Sequence, residues 1–309
     1  MEGMSLAAKP KRFSAFNPGI KPKLTLAQDD DLLLDILDRM QDYDVLFSSY
    51  VKSLFPSFSY IEDCLTELLK GHYIGVPQNW SHPKKLHRER PLEVWPRGSD
   101  YLGLRRKGRQ RGNDHINHKL MRSTLEFHAD RLPGDVTRFP VETYRLTDAR
   151  SFTPDATWRI TYRDVADATM VFHEEDDTGS ERVKGNKTFE ARKKTIRTML
   201  ENYVSYFELD LFKSLFPVVS VLIHTTKANR VATILALIKD DVPTKWQPRF
   251  AVKAVPDFLK EPLLLPRPGE NMLASDYTRI RNGEFERFNI VETLKATERR
   301  KRGGDTNDR

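Results

Sequence analysis

Acidic side chains at two places in the middle of the chain have the types and spacing to bind a divalent metal. Asp155 stands immediately before an alternating apolar run, and Glu175 and Asp177 close the next apolar run. If the two runs form neighbouring strands, Asp155 comes close to Glu175 and Asp177. Carboxylates grouped in this way bind Mg²⁺ or Mn²⁺, and such ions support hydrolysis of phosphodiesters. The alternative is a solvated acidic turn with no chemical role.

The period of a β-strand decides which of these acids share a face. Side chains alternate between the two faces of a sheet, so odd-numbered and even-numbered positions of the second run point in opposite directions. The alternation groups Glu175 and Asp177 with Asp155. It sets Glu174 and Asp176 aside on the other face. We therefore predict a catalytic metal site made of Asp155, Glu175 and Asp177.

The elements that must position these acids are expected between residues 113 and 266. The apolar periodicity predicts a helix, three strands, a second long helix, a buried strand, a helix and a final strand. The strands are expected at residues 136–144, 156–162, 169–175, 217–223 and 249–255. This order predicts an α+β or α/β fold with a mixed sheet that is covered on both faces.

The pattern of apolar residues between positions 28 and 104 predicts a small DNA-binding domain. Three helices, the second starting near Asp44 and the third containing the buried-face residue Cys64, precede two short strands, and Gly71 is expected in a left-handed helix cap. This order predicts a winged helix, a relative of the helix-turn-helix proteins, which place a recognition helix in the major groove. The exposed residues of the third helix are mainly acidic, so the basic loop between the two strands is the expected DNA contact.

Two basic groups are the candidate DNA contacts. The first is the loop between the two strands, and the second is a predicted basic linker over residues 105–112. The candidates are Lys84, Lys85, Arg88, Arg90, Arg105, Arg106, Lys107, Arg109 and Arg111. Basic side chains neutralise phosphates, so this binding is expected to weaken with salt. The alternatives are a solvated loop, a plain flexible linker, and a winged helix that binds a protein through its acidic third helix.

The composition is that of a globular protein with an anionic partner. The chain has 309 residues and a net charge of +7, enough length for two domains and a charge that favours nucleic acid. One cysteine excludes an internal disulfide and a cysteine-rich zinc site, which indicates a reducing compartment. No apolar run reaches the length of a membrane span, so we expect a cytoplasmic protein with no membrane partner.

Charged termini are expected on both sides of the two domains. Residues 1–27 predict a disordered basic N-terminus, and residues 267–309 predict an extended charged tail. Histidines offer a separate metal-binding possibility, because His115 and His118 have the spacing of ligands on a helix. Surface or capping roles are expected for them, and for His128 and His173, since no acidic or cysteine partners accompany them at fixed offsets.

The acidic motifs and the element order resemble two known groups of proteins. The order α-β-β-β-α-β is similar to the core of the PD-(D/E)xK nucleases, which place one acid before the second strand and another near the end of the third. The chain also resembles the replication-relaxation family of plasmid and mobile-element proteins, through Pro-Asp-Ala at 154–156 and the acidic run at 175–181. The resemblance covers about residues 30–240. It implies a winged helix joined to a nuclease-like domain, with double-stranded DNA and replication or relaxosome proteins as partners.

One departure from the nuclease pattern bears on catalysis. PD-(D/E)xK enzymes normally carry a lysine two residues after the second acid, and this chain has Asp177 there. Lys193 or Lys194 could supply the charge from the next helix, or the fold could serve binding alone. The sequence therefore predicts a DNA-binding accessory protein in replication, transfer or maintenance of a plasmid, phage or integrated element. The alternatives are a Mg²⁺- or Mn²⁺-dependent endonuclease or nickase, and a protein-interaction scaffold.

Overall fold

The chain folds into two compact units, residues 1–123 and 124–309. The computed structural model describes residues 27–77, 89–103, 113–162, 169–178, 195–257 and 267–304. The boundary between the units falls inside the helix Asn113–Ala129, later than the predicted domain start at residue 113. Within the described ranges, no helix combines the length and apolar character that a membrane crossing requires.

The first unit combines short helices with a small antiparallel sheet. Its elements are α1 (Ala27–Gln41), β1 (Leu46–Phe47), α2 (Ser48–Ser53), α3 (Ile61–Lys70), β2 (Ile74–Gly75), β3 (Pro91–Val94) and α4 (Pro96–Tyr101). Strand β3 lies between β1 and β2 and pairs antiparallel with both. The predicted helix from Asp44 begins later, because Leu46 and Phe47 pair with β3 instead.

Helical periodicity accounts for the core of this unit. Ile36 and Leu37 of α1 and Cys64 and Leu68 of α3 are fully buried, at the spacing that places one stripe of each helix inward. The burial of Cys64 confirms its expected structural role. Burying each large apolar side chain contributes roughly 1.5–3 kcal/mol.

Gly71 ends α3 for a different reason from the predicted one. Its φ is −74°, so it is not the left-handed residue, and His72 takes the positive φ of 57° instead. A Cβ atom at Gly71 would lie 2.5 Å from the ring of Tyr73. Glycine is required here because the Tyr73 ring packs directly against the backbone.

The second unit is built on a mixed sheet of seven strands. Its elements in chain order are α5 (Asn113–Ala129), β4 (Asp135–Arg138), β5 (Tyr144–Arg145), β6 (Ser151–Phe152), β7 (Ala156–Thr161), β8 (Thr169–Asp177), α6 (Ile196–Glu208), β9 (Ser220–Thr225), α7 (Ala228–Asp241), β10 (Phe250–Ala254), β11 (Tyr277–Arg281), β12 (Glu284–Phe288) and α8 (Ile290–Gly304). The strand order is β12-β11-β10-β9-β8-β7-β4, and β5 and β6 form a separate pair. Strands β8, β9 and β10 are parallel, and the remaining neighbours are antiparallel. The expected mixed α and β architecture is confirmed.

Both faces of this sheet are buried around its central strands. On one face, Val171, Ile223 and Val252 belong to a single core cluster with side chains of α6 and α7. On the other face, Trp158 and Phe172 are buried and their rings lie 4.6 Å apart. Burial on both faces explains why β9 carries three consecutive apolar residues, Val221 to Ile223.

The residues after 267 extend the sheet, which corrects the predicted charged tail. Strand β11 pairs antiparallel with β10, and β12 pairs with β11. Asn282 and Gly283 join the two strands with φ values of 53° and 79°, and Asn-Gly with two positive φ angles is the preferred two-residue hairpin turn. Tyr277 and Ile280 of β11 are buried, but most other residues of β11 and β12 are charged, and this charge hid the strands in the sequence.

Candidate acidic site

The antiparallel pairing of β7 and β8 brings the predicted acids together. The register ends with Ala156 opposite Glu174, so Asp155 comes next to the acidic end of β8. The Asp155 amide donates to the Glu174 carbonyl at 3.0 Å, and the Asp176 amide donates to the Asp155 carboxylate at 2.8 Å. Two hydrogen bonds therefore fix Asp155 against this end of the strand.

Asp155, Glu175 and Asp177 line one small cavity with apolar side chains of α6 and β9, and Asp176, whose amide donates to Asp155, also borders it. Its volume of about 10 Å³ is close to the minimum that admits one water molecule. Glu175 and Asp177 face the cavity because alternation along β8 puts them on the face covered by α6. We call these three carboxylates the acidic trio.

The acids at the end of β8 are buried, so the alternative of a solvated acidic turn is wrong. The exposed fractions of residues 174 to 177 are 0, 4, 6 and 3%. A buried carboxylate is costly unless it has hydrogen-bond donors or a nearby positive charge. The donors around these side chains therefore decide what the site can do.

Glu175 has a tyrosine as its donor. The Tyr203 hydroxyl of α6 donates to Glu175 Oε1 at 2.8 Å, and both side chains are buried. Burial raises the pKa of Tyr203 well above its usual value, and the nearby charge of Glu175 adds to that rise. Tyr203 therefore keeps its proton and remains a hydrogen-bond donor.

Asp177 has a hydroxyl and a guanidinium on the same carboxylate oxygen. Thr225 lies opposite Asp177 in the parallel pairing of β8 and β9, and its Oγ1 donates to Asp177 Oδ2 at 2.8 Å. Arg230 Nε lies 2.8 Å from the same oxygen, in an ion pair whose side chains are 11% and 2% exposed. Both partners come from the segment that leaves β9 and enters α7.

Glu174 and Asp176 belong to a second polar cluster on the opposite face of the sheet. Asp176 Oδ1 lies 3.1 Å from His224 Nδ1, and the Tyr277 hydroxyl lies 3.0 Å from His224 Nε2. His224 is also opposite Lys253 in the pairing of β9 and β10. We call Glu174, Asp176, His224, Lys253 and Tyr277 the buried network.

Burial sets the protonation of this network. It raises the pKa of Glu174 to about 8, against the opposing influence of His224. It also lowers the pKa of His224 to about 4 and that of Lys253 to about 8. Near pH 7 His224 is therefore neutral and Glu174 is largely protonated. With His224 neutral, Nδ1 is assigned as the donor to Asp176, and Nε2 accepts from Tyr277.

The structure also corrects the roles expected for two histidines. His128 and His173 are fully buried, so the expected surface or capping roles are wrong for them. His173 lies 2.7 Å from Thr157 Oγ1 and 3.0 Å from the Tyr206 hydroxyl. Burial lowers the pKa of His173 to about 3 and that of His128 to about 4. Both are neutral core residues.

In the described part of the chain, no three histidine, cysteine or carboxylate side chains converge as metal ligands do. The acidic trio is included in this finding. Each of its carboxylates accepts from a donor of the protein, which is the Asp176 amide, the Tyr203 hydroxyl or the Thr225 hydroxyl. Arg230 adds an ion pair to Asp177. The predicted acids share a cavity, but they are held by protein groups in a closed arrangement.

Most of the predicted DNA contacts, and both of the predicted catalytic lysines, lie outside the described residues. These are Lys84, Lys85, Arg88, Arg105, Arg106, Lys107, Arg109, Arg111, Lys193 and Lys194. Arg90 is described, and it is exposed just before β3. Its carbonyl accepts from the Ser48 amide at 2.8 Å, which ties the base of the predicted basic loop to α2.

Sequence reasoning missed the partners of the trio. It gave no role at the acidic trio to Tyr203, Thr225 or Arg230. One signal for Arg230 was present, because an arginine in the first turn of a helix faces the positive end of the helix dipole. Such a residue needs a compensating anion, and Asp177 is that anion.

No family model matches the chain, and no curated protein or solved structure matches it either. The resemblance to the replication-relaxation family and to PD-(D/E)xK nucleases thus stays a prediction from the motifs.

Proposed function

We propose that this chain binds double-stranded DNA in the replication, transfer or maintenance of a plasmid, phage or integrated element. The observation that carries the DNA-binding part is the arrangement of the first unit. Its order is helix, strand, two helices and two strands, with β3 between β1 and β2. A winged helix has this order and this sheet. The link to a mobile element rests on the sequence motifs alone.

The charges on α3 favour contact through the basic loop. Glu62 forms an ion pair with Lys52, and Glu67 lies 2.9 Å from Lys70. These pairs reduce the negative charge of α3 but leave no positive surplus there. Free positive charge for phosphates is therefore expected between β2 and β3, where exposed Arg90 follows Lys84, Lys85 and Arg88 in sequence.

Salt-dependent binding to duplex DNA tests this proposal. We expect the affinity of the full chain for a duplex to fall steeply with salt, because phosphate contacts release counterions. Replacing Lys84, Lys85, Arg88 and Arg90 with glutamine should weaken binding and lower the salt slope by about 1 for each lost contact. The measurement is fluorescence anisotropy over a series of salt concentrations.

A matched control separates this effect from net charge. Glutamine at four exposed basic positions of the second unit removes the same charge, at Lys213, Lys239, Lys245 and Arg281. This control should bind nearly as the natural chain does. Equal binding by both quadruple variants would contradict contact through the basic loop. Retained folding with no duplex binding would favour the protein-interaction scaffold.

The second candidate function is metal-dependent cleavage of DNA. It rests on the sequence motifs and on the shared cavity of Asp155, Glu175 and Asp177, whose carboxylates would have to leave their protein donors to bind Mg²⁺. A divalent ion held by these residues would supply Lewis-acid chemistry for phosphodiester hydrolysis. The chain's own part is to hold Asp155 on the Asp176 amide and Glu175 on Tyr203. The order α5, β4, β7, β8, α6, β9, with the separate pair β5 and β6 between β4 and β7, is the element order from which we infer a nuclease-like unit.

Nicking of supercoiled DNA tests the second candidate. We expect cleavage with Mg²⁺ or Mn²⁺ and its loss in Asp155→Asn. Asp148→Asn is the control, since that side chain is fully exposed on the same unit. Cleavage that survives Asp155→Asn would exclude the trio as its source.

A further inference from the structure

The first unit contains a groove of its own, between α2, α3 and the start of β3. Its volume is about 640 Å³. Cavities that bind small molecules usually measure about 300–1,000 Å³, so the groove has the size of a ligand site. We call it the α3 groove.

Three leucines give the α3 groove an apolar wall. Leu65 and Leu69 are four residues apart on α3, so they lie one above the other on the same face of the helix. Leu92 of β3 is the third leucine of the lining. Leu65 and Leu92 are buried, whereas Leu69 is only half-buried. A ligand with an apolar body would therefore remove part of Leu69 from water, which is favourable.

The charged groups of the groove leave one cation for a ligand. Glu62 forms an ion pair with Lys52, and the carboxylate of Glu89 accepts from the Ser49 amide at 3.3 Å. Within the described part of the chain, no carboxylate pairs with the guanidinium of Arg90, which is exposed at the groove. The lining therefore suits an anion that also has an apolar body.

We propose that the α3 groove binds a small carboxylate with an aliphatic or aromatic body. The carboxylate pairs with Arg90, since a guanidinium offers two parallel N–H donors to such a group. The body lies against Leu65, Leu69 and Leu92.

The site has a consequence for DNA binding, and this consequence rests on the proposed function. Arg90 is also a proposed phosphate contact, so the carboxylate and the duplex compete for one guanidinium. Each then weakens the binding of the other by the same factor. The site itself does not depend on DNA.

Octanoate binding to the full chain tests the site, with nuclear magnetic resonance of the leucine methyl groups as the measurement. We expect octanoate to shift the signals of Leu65, Leu69 and Leu92. The signal of Leu209, which is 53% exposed on the second unit, should not move. Acetate lacks the apolar body and should cause no shift at the same concentration.

Two variants separate the carboxylate contact from the apolar one. Arg90→Gln should weaken octanoate binding about fivefold, as expected for an exposed ion pair. It should leave the binding of 1-octanol, which has no carboxylate, unchanged. Thr66→Trp fills the groove from an exposed position of α3 and should abolish the binding of both compounds.

Thr233→Trp is the matched control for the groove-filling variant. Thr233 is an exposed threonine of α7, and its hydroxyl donates to the carbonyl four residues earlier, as that of Thr66 does. This control should bind octanoate as the natural chain does.

The site is overturned if octanoate shifts none of the groove leucines, or if it shifts Leu209 equally. Equal octanoate affinity in the natural chain and Arg90→Gln also overturns it, and this comparison decides if Thr66→Trp does not fold. Unchanged octanoate binding by a folded Thr66→Trp has the same meaning.

A duplex titration separates the site from the proposed function. Saturating octanoate should weaken duplex binding by the natural chain and lower its salt slope by about 1, with no effect on Arg90→Gln. Octanoate binding in the groove without any effect on duplex affinity would contradict Arg90 as a phosphate contact and leave the site standing. Octanoate binding by a chain that binds no duplex would overturn the proposed function alone.

Discussion

Adjacent carboxylates of β8 meet very different surroundings on the two faces of the same sheet. Glu175 and Asp177 border a small cavity. Glu175 accepts a hydrogen bond from the Tyr203 hydroxyl, and Asp177 accepts one from Thr225 and forms an ion pair with Arg230. Glu174 is fully buried, and this burial raises its pKa to about 8. The acidic trio is stabilised by donors, whereas the buried network is stabilised in part by keeping a proton. A run of four acids is thus two chemically distinct groups, and strand alternation separates them.

Acid should disrupt both faces, and this is the largest effect that we expect. Burial lowers the pKa of His224 and His128 to about 4 and that of His173 to about 3, and His173 lies on the face of the trio. The unfolded chain binds these protons near pH 6.5 and the folded chain does not, so stability falls as the pH drops below 6.5. Between pH 6.5 and 4.5 Glu174 carries a proton in the folded chain and not in the unfolded chain, because its folded pKa is about 8. This proton offsets one of the three that the histidines bind on unfolding.

A net difference of two protons corresponds to about 3 kcal/mol per pH unit. Because the unfolded histidines are only half protonated at pH 6.5, we expect the free energy of unfolding to fall by about 3 kcal/mol between pH 6.5 and 5. Urea denaturation at a series of pH values measures it. A flat profile over this range would show that the histidines are not held neutral, and would remove the basis for the protonation of the network.

Loss of Asp177 should affect the trio face most among single substitutions. Asp177→Ala leaves Arg230 largely buried without the carboxylate of its ion pair, and breaking a buried pair in this way costs about 3 kcal/mol. Urea denaturation at pH 7 measures the loss. Asp148→Ala is the control, because Asp148 pairs with Arg145 while fully exposed and should cost less than about 0.5 kcal/mol. A similar small loss for both variants would mean that the ion pair of Asp177 is not a stabilising contact.

The sequence was sufficient to predict the strands that carry the acids. Apolar runs at period 2 fixed β7 and β8, and the same period separated Glu175 and Asp177 from Glu174. Asp155 could be placed because an antiparallel pair of neighbouring runs leaves few registers that bury both. These patterns depend on residues close together in the sequence, so they can be recognised without knowing the tertiary structure.

The partners of the acids could not be predicted in the same way. Thr225 and Arg230 reach Asp177 from a strand and helix about fifty residues further along the chain, and the parallel pairing of β8 and β9 sets that contact. His224 and Tyr277 belong to two more strands of the sheet. Asp176, His224 and Tyr277 are neighbours because their strands are adjacent in the sheet. The order of strands in a sheet cannot be read from the periodicity of the sequence.

Above pH 6.5 the network face has a response of its own, through Glu174. The folded pKa of Glu174, about 8, is above its usual value of 4.5, so its contribution to stability is lost as the pH rises toward 8. Between pH 6.5 and 8 we expect the natural chain to lose about 2 kcal/mol of stability relative to Glu174→Gln. The histidine protons of the unfolded chain and the lowered pKa of Lys253 add stability over this range in both chains, so the difference between the two chains isolates Glu174. Glu201→Gln, at a half-exposed position, is the control and should follow the natural chain.

Two tyrosines give the smallest and most direct comparison of the faces. Tyr203 donates to the carboxylate of Glu175 at 2.8 Å, and Tyr277 donates to the imidazole of His224 at 3.0 Å. Both rings are buried, so phenylalanine removes one hydroxyl at each place with little change in packing. Hydrogen bonds to a charged group contribute about 1.5–3 kcal/mol and neutral ones about 1 kcal/mol. Tyr203→Phe should therefore destabilise the chain about twice as much as Tyr277→Phe in urea denaturation at pH 7. Equal losses would indicate that Glu175 carries a proton as Glu174 does, and the chemical difference between the two faces would disappear.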